Sequence, residues 1–156
     1  MATSARTILA KPANWERRAL QVAVALAGLV PITAGFAGMQ AGSAMFDAAP
    51  PPGSLAQLSL DSHVRYLSGL LFGIGLVFWA SIPWIETATP TFRLLTGIVF
   101  IGGIARLIGV MVMGVPSGGM MFGLGMELVV TPVLCLWQAR VAGLRRASPL
   151  ALPTRD

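Results

Sequence analysis

Apolar residues in this chain come in four long runs, separated by short polar or proline-bearing stretches. The runs extend from Ala19 to Met39, Val64 to Ile85, Phe92 to Met113 and Met120 to Gln138. A helix needs about 20 residues, at a rise of about 1.5 Å each, to cross about 30 Å of hydrocarbon, and each run is close to that length. In lipid a spanning segment must satisfy its own backbone polar groups, so unbroken apolar runs predict helices, whereas a barrel would alternate apolar and polar positions. The pattern predicts an all-α integral membrane four-helix bundle: a basic N-terminal segment over 1–18, a transmembrane domain over 19–138 and a basic tail over 139–156. Ala48, Ala49, Pro50, Pro51, Pro52 and Gly53 cannot continue a helix and mark a connector between the first two runs. The stretch Ser148–Asp156, with two prolines, is expected to be poorly ordered. No internal repeat is evident, which argues against an inverted-repeat transporter.

Composition agrees with the pattern. Of 156 residues 55% are hydrophobic and 11% charged, against about 25% charged in soluble domains. The net charge of +5 and pI near 11.1 would suit nucleic acid only if the basic residues shared an exposed face. Instead they flank the apolar runs, with Arg6, Lys11, Arg17 and Arg18 before the first and Arg140, Arg145, Arg146 and Arg155 after the last. Nucleic acid is therefore excluded as a partner, and the positive-inside rule assigns both termini to the cytoplasm. The segment from Gln40 to His63 and the turn around Pro116 then face the opposite side, the periplasm of a bacterium. Trp15, Trp84 and Trp137 fall near cytoplasmic ends, where indole rings favour the headgroup level. A cleaved signal peptide is the alternative for the first run, but signal h-regions span only about 7 to 15 residues, so an uncleaved helix is expected. The twin Arg17 and Arg18 are read as topogenic charges rather than an export signal.

Polar positions inside the runs carry the candidate chemistry. Gly69 and Gly73 form a GxxxG pattern, as do Gly119 and Gly123, and Gly102 and Gly103 are adjacent, all of which predicts close helix packing. Pro31 and Pro132 each remove a backbone hydrogen bond and predict kinks. At Pro132 the carbonyl of Leu128 would be freed beside Glu127. Cys135 has no partner for a disulfide and packs as a small apolar residue. His63, the only histidine, lacks companions at ligand spacing, so no metal site is predicted. No HExxH, CxxC, phosphate loop or GxSxG occurs, so no catalytic residue is assigned and no cofactor is indicated.

Arg65 and Arg93 stand at the very starts of the second and third runs, and two charges stand deep inside runs, Arg106 and Glu127. Each costs about 2.5 to 3.5 kcal/mol to insert, so both should face protein and seek a partner. Arg106 lies about 10 residues before the turn at Pro116 and Ser117 and Glu127 about 10 after it, which places them at similar depth on antiparallel helices. A bidentate ion pair is expected, either as a structural fastener or as the floor of a polar pocket. Arg65 and Tyr66, at the outer start of the second run, are the candidates to join Glu127.

The segments SHVRYLSGLLFGIGLVFW, FRLLTGIVFIGGIARLIG and MELVVTPVLCLWQARVA, above all their RYLSG, GGIARLIG and MELVVTP cores, resemble the bacterial membrane family termed domain of unknown function 4345, over roughly Glu16 to Ala142. The resemblance implies a four-helix inner-membrane protein with no established activity, and it highlights the same residues, Arg65, Tyr66, Arg106 and Glu127. The leading functional expectation is a non-catalytic accessory, assembly or envelope factor that packs against membrane lipids, a membrane protein complex or further copies of itself. The alternatives are a small solute, headgroup or proton carrier using the Arg106 and Glu127 pocket and, third, an enzyme acting on lipid or quinone.

Overall fold

The computed structural model describes residues 2–46 and 48–147, with side chains from Asn14 to Arg146 apart from Asp47. The expectation of disorder over Ser148–Asp156 lies outside the described residues, as do the side chains of Arg6, Lys11 and Arg155. Helix α1, Ala2–Ala41, continues into a 3-10 turn at Gly42–Met45; α2, Leu55–Ser81, continues into another at Ile82–Trp84. Helix α3 is Thr89–Met113, and α4, Gly118–Gly125, runs through a π turn at Met126–Val130 into α5, Thr131–Ala147. The described residues contain no strand, so the all-α expectation holds. Among the described residues four stretches are long and apolar enough to cross a membrane: Asn14–Met45, Leu55–Trp84, Thr89–Met113 and Gly118–Arg146.

These boundaries exceed the apolar runs for local reasons. Glu16, Arg17 and Arg18 are good helix formers, and nothing between them and the apolar run breaks the helix. Helix α2 starts at Leu55, nine positions before Val64, because Ser54 and Gln57 form a capping arrangement. The Gln57 amide donates to Ser54 Oγ at 3.2 Å, and Gln57 Oε1 accepts from the Gly53 amide at 3.1 Å. Two amide donors that the helix cannot use are thereby satisfied.

The helices form two compact units, Val24–Ala80 and, separately, Ser81–Asp156 with Met1–Ala23. In the first, α1 and α2 approach at Gly35, where a Cβ would lie 2.6 Å from the Phe72 backbone nitrogen and 2.7 Å from the Ser68 carbonyl oxygen. Only glycine permits that approach. Trp79 Nε1 donates to the Ala25 carbonyl at 3.0 Å, and Phe36 meets Phe72 with ring centroids 6.3 Å apart. In the second unit Leu20, Ile85 and Phe92 are buried, together with Gln138, whose Nε2 donates to the Ile85 carbonyl at 2.6 Å and to Thr89 Oγ1 at 3.0 Å.

Close packing thus falls at other glycines than the GxxxG spacing picks out. A Cβ at Gly73, Gly119 or Gly123 would meet nothing in its own unit, and at Gly69 only the Met39 sulfur, at 3.7 Å. Large apolar side chains such as Leu26, Phe36, Leu94, Ile101, Val112 and Leu136 are exposed, an arrangement suited to hydrocarbon and unsuited to water.

Candidate functional site

Arg106 projects from α3 and Glu127 from the π turn, both in the unit containing Ser81–Asp156. Proline at 132 has no amide hydrogen to give the turn before it, and the backbone widens there instead of breaking. The Thr131 amide reaches back to the Met126 carbonyl, which also accepts from Thr131 Oγ1 at 2.8 Å. The expected kink near Pro132 therefore takes the form of a π turn, and Glu127 lies within it.

Gly103 brings the partners together. A Cβ there would lie 2.9 Å from Glu127 Cβ and 2.7 Å from Leu128 Cδ2, so α3 can lie against the π turn only because this position has no side chain. Arg106, three residues on, then meets Glu127 in a two-point contact. Its Nε donates to Oε2 at 3.0 Å and its Nη2 to Oε1 at 2.9 Å. The remaining terminal nitrogen, Nη1, donates to the Met120 sulfur at 3.0 Å. The fork geometry matches a carboxylate edge to edge, the strong form of this pairing. Arg106 keeps a third of its side-chain surface accessible and Glu127 17%, so the pair is partly open on one side.

Arg65 and Tyr66 belong to the other unit, Val24–Ala80. Arg65 donates through Nε to Asp61 Oδ2 at 2.7 Å and through Nη1 to the carbonyls of Met39 and, at 3.1 Å, Gln40. It thereby caps the C-terminal carbonyls of α1, while Asp61 Oδ1 accepts from the Ser43 amide at 2.9 Å. The guanidinium is thus engaged inside its own hairpin. Tyr66 is exposed beside an open depression lined by Leu58, Ser59, Ser62 and His63, all on α2. Sequence reasoning singled out Arg65 without Asp61, although their four-residue separation on a helix is the signal for the pair. It also missed Glu16 and Glu86, which hold Arg140 and Arg145 at 3.1 and 3.3 Å. Their position beside the basic flanks was the available clue.

Among the described residues no group of three or more His, Cys, Asp or Glu could hold a metal ion. The geometry defines an all-α protein with four helices apolar enough to cross a membrane and a mutually neutralising arginine and glutamate inside two of them. The chain belongs to the family described as Domain of unknown function (DUF4345), whose model matches residues 19–138. That family is the one resembled by the RYLSG, GGIARLIG and MELVVTP segments. Neither the curated proteins nor the solved structures yield a match to the chain.

Proposed function

We propose that this chain is a multi-pass protein of the bacterial inner membrane, with both termini in the cytoplasm, that works without catalysis as an accessory, assembly or envelope factor. It acts by packing its helices against lipid or a partner membrane protein. The observation that carries this reading is the two-point Arg106 and Glu127 pair: two hydrogen bonds join the charges, and the remaining terminal nitrogen of the guanidinium lies on the Met120 sulfur. Charges satisfied in this way hold helices in register and leave the molecule's apolar surfaces to make its contacts. Isolation from native membranes in mild detergent tests the reading. A protein partner recovered in fixed proportion, and lost when the exposed apolar face of α3 is altered at Ile101 and Val112, is the expected result. Recovery of the chain alone with a stoichiometric small solute would contradict it.

A second reading draws on the π turn, a feature frequent at functional sites, and on the partly accessible Arg106. Here the pair lines an outward-facing pocket for a solute, a lipid headgroup or a proton. An Arg106→Leu and Glu127→Leu double variant that stays folded but loses its cellular role would favour this second reading.

A further inference from the structure

The end of the Ser81–Asp156 unit at which α1 enters and α5 leaves carries more positive charge than its own carboxylates can neutralise. Among the residues whose side chains are described, Arg17, Arg18, Arg93, Arg140, Arg145 and Arg146 belong to this unit with the carboxylates Glu16 and Glu86, and six cations against two anions leave four positive charges. Glu16 is matched one to one, with Arg140 Nη2 at 3.1 Å from Oε1 and Nε at 3.3 Å from Oε2. Glu86 is not. Its Oε2 faces Arg145 Nη1 at 3.3 Å and Arg17 Nε at 3.7 Å, so one carboxylate oxygen serves two guanidinium groups. The Arg17 Nε hydrogen is shielded from solvent and has no hydrogen-bond acceptor. Arg18, Arg93 and Arg146 have no carboxylate partner among the described residues.

We propose that this arginine cluster, centred on Arg17 and Arg145 around Glu86, binds the phosphate of an anionic phospholipid. The positive-inside rule accounts for the sign of the flanks, but it gives no reason to crowd two guanidinium groups onto one carboxylate. A phosphodiester supplies the missing negative charge and an acceptor oxygen for guanidinium donors, which pair well with phosphate. Trp15 and Trp84, exposed at 69% and 72%, each stand two residues before a member of the cluster. Indole rings so placed belong at the headgroup level, where a lipid phosphate also lies. A soluble anion would gain nothing from these rings, and a zwitterionic lipid would bring its own cation to an already cationic site. The inference requires a membrane but no particular orientation in it, and it is independent of the accessory role proposed above.

The test uses the delipidated full chain in neutral detergent, with phosphatidylglycerol and phosphatidylcholine of identical acyl chains added separately and bound lipid counted by native mass spectrometry. Phosphatidylglycerol is expected to be retained in preference to phosphatidylcholine, with the preference weakening as salt is raised. Arg145→Gln is expected to weaken phosphatidylglycerol binding about five-fold, the scale of one basic residue at an anionic surface. Glu86→Gln is expected to strengthen it, because it removes the internal competitor. Since Glu86 also ties α1 to the last turn of α5, Arg146→Gln serves as a variant that disturbs no ion pair, and it too should bind less. Equal retention of the two lipids, or native binding by both Arg145→Gln and Arg146→Gln, overturns the proposal. Displacement of the lipid by millimolar inorganic phosphate overturns it as well, since the site would then be one for a free anion.

Discussion

An unpaired guanidinium or carboxylate in hydrocarbon carries an insertion cost of about 2.5 to 3.5 kcal/mol, and the placement of Arg106 and Glu127 answers that cost. Equal distance from a short turn was enough to pair them from sequence, because helix rise fixes depth and a short turn forces antiparallel neighbours. What the sequence could not disclose is why they come within hydrogen-bonding distance. That depends on Gly103 rather than Gly102, and adjacent glycines are indistinguishable until the rotation of the helix about its axis is known. The structure separates them, since a Cβ at Gly103 collides with Glu127 and Leu128 while one at Gly102 meets nothing in its unit. Gly103→Ala is therefore expected to cost about 1 to 3 kcal/mol through overpacking. Gly102→Ala should stay within about 0.5 kcal/mol of the native chain. Thermal unfolding of both variants in one bilayer system decides the matter, and equal losses would show that α3 does not approach the π turn where the geometry puts it.

At the scale of elements, the four helices were legible because apolar length is a strong signal in lipid, while their ends were less so. Hydropathy fades where a helix leaves the bilayer, yet α2 begins at Leu55 because Ser54 and Gln57 satisfy backbone donors at its start. The S-x-x-Q spacing was visible in the sequence and carries that information independently of hydropathy. Pro132 signalled a local irregularity but not its form. Whether a proline kinks a helix or widens it into a π turn depends on which carbonyls find new donors, and here Thr131 supplies one. Ser54→Ala is expected to destabilise the first turn of α2 by about 1 kcal/mol. Hydrogen exchange should then accelerate over Leu55–Leu58 and remain unchanged over Leu70–Trp79. Unchanged exchange over Leu55–Leu58 would mean that the cap contributes nothing and that neighbouring contacts hold the helix start.

For the whole molecule, charge and apolar surface divide the labour. Most basic residues flank the first and last apolar runs, many large apolar side chains are exposed, and the ionisable groups Arg106 and Glu127 of α3 and the π turn close on each other. The charge distribution leads to a topological expectation: a reporter active only in the periplasm should be silent when fused after Asp156 and active when inserted after Pro51. The opposite pattern would invert the proposed orientation. The central claim is that the Arg106 and Glu127 pair is a fastener rather than reactive machinery, and a double-mutant cycle in a lipid bilayer tests it most directly. Arg106→Leu and Glu127→Leu should each lower stability by about 3 kcal/mol, the lower end of the range for stranding a buried charge, because the pair is partly accessible. The double leucine variant should recover most of that loss, since apolar side chains can replace a buried pair at little cost. Single losses that simply add in the double variant would contradict the account, because they would mean that neither charge depends on the other.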